Sequence, residues 1–213
     1  MKLDTKNKYF PFFLDISGKK FLIVGGGRVA ERKVRTLLRF KANIQIVSPK
    51  LTKKIEALAQ KGLIEVKKKE YDPQDLNHID FVISATNDKD LNRKVSSDAK
   101  SLRILVNVVD APEQCDFIVP SVVKRGPIVV AISTSGNFPL LSKKLRKDLE
   151  KIISLDYEKY VVKVGNLRRE VIEKVEDKKT RRKILKLISD LEVKELATKD
   201  IQEIRRMILE RKK

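Results

Sequence analysis

A chain of 213 residues with 48 Lys and Arg against 29 Asp and Glu carries a formal net charge of +19, and 41% of its residues are apolar. The length suffices for one large domain or two small ones with real cores; no apolar run approaches the roughly 20 residues that span a bilayer, so no membrane partner is expected. One cysteine, Cys115, excludes an internal disulfide and suits a reducing compartment, which makes the cytoplasm the expected location.

The apolar stretch Phe10–Leu14 is interrupted by Pro11 and followed by Asp15, too short and broken for a signal-peptide core. The first strong element comes next. Phe21, Leu22, Ile23 and Val24 form a continuous apolar run, as a strand buried on both faces does. It leads straight into Gly25, Gly27 and Ala30, which match the G-x-G-x-x-G/A fingerprint of a dinucleotide-binding turn, and then into a helix with Val29, Val34, Leu37 and Leu38. There Gly25 permits the sharp turn, Gly27 lets the backbone approach a pyrophosphate, and Ala30 lets the helix sit close on its strand. Such a turn can also be purely structural, but its place between a strand and a helix favours nucleotide binding.

The alternation continues. Ile44, Ile46 and Val47 read as a second strand, followed by a helix carrying Leu51, Ile55, Leu58 and Ala59 that stops at Gly62. Leu63, Ile64 and Val66 read as a third strand and Phe81, Val82, Ile83 and Ala85 as a fourth. A polar helix from about Lys89 to Ser101 and a fifth strand, Ile104 to Val109, complete the set. Strands alternating with helices predict an α/β fold: a doubly wound, Rossmann-type parallel sheet forming a nucleotide-binding domain over residues 1–112. A small α/β segment is expected over 113–153, punctuated by Pro112, Pro120 and Pro127 around the runs Phe117–Val119 and Ile128–Ile132. It ends in an amphipathic helix with Leu140, Leu141, Leu145, Leu149 and Ile152. Residues 154–213 read as an all-helical module through Tyr160, Val164, Leu167, Val171, Ile184, Ile188 and Leu191, then Ile201, Ile204 and Ile208.

Three loops lie at the carboxyl ends of the first, fourth and fifth strands, where ligands of open α/β sheets bind. They are the glycine turn Gly25-Gly26-Gly27 with Arg28 and Val29 opening its helix, Ala85-Thr86-Asn87-Asp88, and Asn107-Val108-Val109-Asp110-Ala111-Pro112. Asp110 ends an apolar strand and is held by a following proline, which suits a general base as well as an ordinary turn aspartate. Ser133-Thr134-Ser135-Gly136 offers hydroxyls and N–H groups ahead of a helix, suited to a substrate carboxylate or to a plain cap. The place where NAD sites usually carry an acid reads Ser48-Pro49-Lys50, which leaves NAD and NADP open. His78 precedes the fourth strand, at the wrong end of the sheet for catalysis, and no metal site is expected. The positive charge attracts anions such as nucleic acid or a polycarboxylate. Cations dispersed along the chain, the lack of Trp and phenylalanines placed mostly in core strands argue against nucleic acid.

PFFLDISGKKFLIVGGGRVAERK, the ATND after the fourth strand, NVVDAPEQCDFIVPS and AISTSGNFPLLSKKLR together resemble the precorrin-2 dehydrogenase module of siroheme synthases, in order and spacing from about Tyr9 to Ile153. The resemblance implies NAD-dependent oxidation of precorrin-2 to sirohydrochlorin, which some family members follow with ferrous iron insertion to give siroheme. It implies Asp110 as the catalytic residue and Gly25–Val29, Ser48, Pro49, Lys50, Thr86 and Asn87 around NAD, since members often lack the acid yet use NAD. Asn107 and Ser133–Gly136 are then expected at the substrate, with Thr134 keeping a hydroxyl where some members have Ser. A homodimer exchanging contacts through the segment around Pro112–Ile153 is also implied, with the substrate between the modules. The other reading is a non-catalytic NAD-binding regulatory module, which needs the fingerprint but not Asp110.

Overall fold

The structure, a computed structural model, describes residues 9–200, 202–204 and 206, so Ile201 and Ile208 lie outside the described residues. The chain divides into two compact units, Met1–Val119 and Pro120–Lys213.

In the first unit β1 (Lys20–Val24), β2 (Asn43–Val47), β3 (Glu65–Lys67), β4 (Phe81–Ser84) and β5 (Leu105–Val108) form one sheet in the order β3-β2-β1-β4-β5. Every neighbouring pair is parallel. The connecting helices are α1 (Arg28–Leu38), α2 (Lys53–Gln60) and α3 (Lys89–Ser101). The apolar run of β1 explains its central place. Phe21 and Ile23 enter one core with Ala30, Val34 and Leu37 of α1, whereas Leu22 and Val24 enter the opposite core with Val95 and Ala99 of α3. Period-two alternation with both faces apolar requires helices on both sides of the sheet. Strand order reverses at β1, with β2 on one side and β4 on the other, so the crevice at their carboxyl ends is the ligand position of a doubly wound sheet.

The third strand starts later than its apolar pattern predicts. The C-terminus of α2 closes through Gly62, at φ +68°, with the Leu63 N–H donating to the Leu58 carbonyl. Leu63 is left exposed while Ile64 drops into the core from the loop, and ladder pairing begins at Glu65. The phenylalanines also depart from expectation: Phe21 and Phe81 stack in the sheet, but Phe10, Phe12, Phe13 and Phe138 are exposed. Residues 113–119, read with the central segment, pack on the first unit. Phe117 and Val119 lie against its core, and Asp116 exchanges hydrogen bonds with the main chain of Val106.

The second unit opens with an antiparallel hairpin, β6 (Ser121–Arg125) and β7 (Ile128–Ile132), turned by Gly126 at φ +53°. Helices α4 (Pro139–Ile152), α5 (Leu155–Lys174), α6 (Lys178–Ser189) and α7 (Val193–Thr198) follow. Leu167, Ile188, Leu191, Leu196 and Ile204 form its core. Much of the apolar face of α4 stays exposed, Leu140 at 67% and Ile152 at 64%.

Candidate functional site

The three glycines of the first turn have different physical reasons. Gly25 sits at φ +113°, and a Cβ there would lie 2.4 Å from the Ala85 carbonyl oxygen, so the end of β4 is in contact with the turn. A Cβ on Gly26 would lie 2.1 Å from the Lys50 carbonyl oxygen; the Thr52 N–H also donates to the Gly26 carbonyl at 3.0 Å. Both are required by the protein's own backbone. Gly27 is exposed, with nothing within 4 Å of the Cβ position, and it is the N-cap of α1 with no side chain capping the helix. Its open face and the bare N–H groups of Arg28 and Val29 suit a diphosphate.

The loop after β2 is drawn onto this turn. Ser48 is buried and donates its hydroxyl to the Lys50 carbonyl at 2.7 Å, while Pro49 and Lys50 are exposed. Glu31, in the first turn of α1, accepts from the Thr52 hydroxyl at 3.1 Å and pairs with Lys54 at 3.3 Å. This tie between α1 and the start of α2 left no sign in the sequence, because it joins residues more than 20 positions apart.

Beyond β4, Thr86 is half-buried and Asn87 exposed. Asp88 caps α3 by accepting from the N–H groups of Asp90 and Leu91. Buried Asn92, one turn into α3, accepts from the hydroxyls of Ser84 at 2.6 Å and Thr86 at 2.8 Å and donates to the Thr86 carbonyl at 3.1 Å.

Asp110 is exposed on the turn after β5, two strand spacings or about 10 Å from β1. It adopts φ +61°, a left-handed conformation that aspartate tolerates better than most residues. The turn is braced from below. The buried Cys115 thiol accepts from the Val108 N–H at 3.1 Å and lies 3.2 Å from the Val108 carbonyl and 3.3 Å from that of Ala111, with one proton to share between them. Lys33 of α1 is held below the ordinary lysine range by burial and by Arg32, with Cys115 and Asp110 acting in the opposite sense. Asn107 is buried, donates to the Phe117 carbonyl at 2.9 Å and leaves its Oδ1 without a partner among the described residues. That burial and the bond to Phe117 make it a support of the turn.

In the second unit, Ser133 is exposed, and Ser135 and Gly136 take φ +52° and +85°. The Ser133 hydroxyl accepts from the Ser135 N–H at 3.0 Å, and the Thr134 hydroxyl accepts from the Phe138 N–H at 3.3 Å, just before α4. His78 is exposed at φ +61° ahead of β4, away from the carboxyl ends.

A family model described as NAD(P)-binding matches residues 12–121, just over half of the chain. The siroheme synthase of Photorhabdus laumondii is 43% identical over 145 residues, covering 68% of this chain and 31% of that protein. That of Thioalkalivibrio sulfidiphilus is 37% identical over 203 residues, covering 95% of this chain and 42% of that protein. A solved structure of SirC, a precorrin-2 dehydrogenase, aligns with a TM-score of 0.75 at 28% identity, covering 95% of this chain and 100% of that one. The chain belongs to the siroheme synthase and precorrin-2 dehydrogenase family of NAD(P)-binding modules. It spans less than half the length of these siroheme synthases. The matched residues 12–121 take in all three loops of the first unit, including the turn that carries Asp110. The residues present fit the family's cofactor, through the open face of Gly27, the uncapped start of α1 and the clasped loops on either side.

Proposed function

We propose that the chain is an NAD-dependent precorrin-2 dehydrogenase, an oxidoreductase of siroheme biosynthesis that converts precorrin-2 to sirohydrochlorin. The observation that carries the reading is the end-to-end match to a precorrin-2 dehydrogenase, 95% of this chain against all of that one. The reaction removes two hydrogens from the macrocycle, one as hydride and one as a proton. Bound NAD supplies the hydride acceptor. Gly27, Arg28 and Val29 hold its diphosphate against the start of α1, with Ser48–Lys50 on one side and Thr86 and Asn87 on the other. Asp110 takes the proton as general base; its exposure leaves the carboxylate accessible to a substrate, and the turn beneath it is fixed by Cys115.

The net charge of +19 favours encounter with a macrocycle fringed by carboxylates. Ser133–Gly136 enter the proposal as substrate contacts, and Asn107 as a support of the turn that carries Asp110. A second copy of the chain is the proposed partner, supported by the exposed apolar residues Phe138, Leu140 and Ile152. No described helix is long and apolar enough to cross a membrane.

The test is anaerobic incubation of the purified chain with precorrin-2 and NAD. The expected result is sirohydrochlorin with equimolar NADH. NAD binding without oxidation would instead identify a regulatory module. Ferrous iron added after oxidation tests chelation. Siroheme formation would extend the role of Asp110 to accepting pyrrole N–H protons, and none would leave a dehydrogenase alone.

A further inference from the structure

Asn92 occupies a position in α3 where an apolar residue would pack with less desolvation, since it is only 7% exposed and lies beside the buried Val95, Ser96 and Ala99. Capping does not account for it, because Asp88 already caps the helix. Its amide instead gathers the last residue of β4 and the loop beyond. Oδ1 accepts from the Ser84 and Thr86 hydroxyls, and Nδ2 donates to the Thr86 carbonyl. The Thr86 hydroxyl also accepts from the Asp88 N–H at 3.1 Å and has the Asp88 carbonyl at 3.0 Å. Its single proton is shared between that carbonyl and Asn92, so the hydroxyl is fixed within the loop. The loop so fixed presses on the glycine turn: a Cβ on Gly25 would lie 2.4 Å from the Ala85 oxygen and 3.3 Å from the Thr86 methyl.

We infer that Asn92 is a positioning residue for the dinucleotide, setting cofactor affinity by holding Ala85 and Thr86 against Gly25 at the point where strand order reverses. Asn92 does not touch the ligand and takes no part in proton transfer. Slackening this loop moves one wall of the cleft and loosens the turn that presents Gly27 and the start of α1. The inference rests on the reading of the glycine turn as an NAD site, but its measurement is cofactor binding and not tetrapyrrole turnover.

The experiment is a double-mutant cycle on NAD affinity, measured by calorimetry, with Asn92→Ala, Thr86→Val and the pair. Thr86→Val keeps the shape and the methyl group but removes the hydroxyl. Each single substitution is expected to raise the NAD Kd about tenfold, and the pair no more than about threefold beyond either, because both cut the same link. In turnover assays the Asn92→Ala defect is expected in KM for NAD, with kcat at saturating NAD within about threefold of wild type. Asn92→Ser keeps one polar partner and is expected to fall between Asn92→Ala and wild type; it replaces Asn92→Ala in the cycle if that variant does not fold. An unchanged Kd in a folded Asn92 variant, or effects that simply multiply in the pair, would overturn the inference. Wild-type chain that binds no NAD would overturn the cofactor reading and this inference together. A wild type that binds NAD but fails to oxidise precorrin-2 would leave the inference standing and remove only the dehydrogenase.

Discussion

At Gly27 a methyl group meets no protein atom within 4 Å, whereas at Gly25 it meets the Ala85 carbonyl at a φ that L-residues rarely adopt. The two glycines of one motif therefore differ: Gly27 faces open space and Gly25 the protein's own backbone. Gly27→Val is expected to raise the NAD Kd at least tenfold while costing no more than about 1 kcal/mol of stability. Gly25→Ala is expected to lose more than about 2 kcal/mol. Melting curves and NAD titration of both variants check the contrast. Lys33 gives a second test. Its burial disfavours the charged form, so in the alkaline range just below the ordinary lysine value the unfolded chain holds the extra proton, and stability rises with pH there. Lys33→Met is expected to gain about 1 kcal/mol at neutral pH, because it removes an ammonium whose charged form burial disfavours. A variant with a lower melting temperature than wild type would contradict that account of Lys33.

At the scale of elements, β5 is the edge of the sheet, and its outward N–H and C=O groups need partners. Asp116 serves Val106 and the Cys115 thiol serves Val108, so the chain folds back under Asp110. Cys115→Val is expected to cost about 1–3 kcal/mol by stranding the Val108 N–H, and Cys115→Ser to restore most of it. Equal melting temperatures for the two variants would refute the brace. The sequence made β1, β4 and β5 legible because each is a mostly apolar run ended by turn residues, and it located the glycine turn because strand, glycines and helix are contiguous. Asn92, Glu31 and Lys33 left no such trace. Each works through groups many residues away or from inside a polar helix, and in the sequence each is one more charged or amide residue among many. The late start of β3 was hidden for a related reason: Ile64 reaches the core from a loop, which hydropathy alone reads as strand.

For the molecule as a whole, opposing electrostatic effects meet at Asp75, buried at 3% exposure. Burial pushes its carboxyl up, but Lys69 at 2.7 Å, the Asp72 N–H and Lys67 at 3.0 Å outweigh that and hold it below the ordinary carboxylate value. A depressed folded value means that its contribution is present above the unfolded carboxylate range and lost as pH falls through the folded one, below about pH 4. Asp75→Asn is expected to cost about 1–3 kcal/mol at pH 7 and to show a shallower loss of stability on acidification than wild type. The central claim concerns the whole first unit: cofactor at the glycine turn, proton acceptor across the same sheet edge. It is tested most directly by anaerobic single-turnover oxidation of precorrin-2 in wild type and Asp110→Asn, each preloaded with NAD. The account predicts a rate lower by about 10²–10⁴-fold in the variant, with the NAD Kd unchanged within twofold. Equal rates in the two proteins would contradict it.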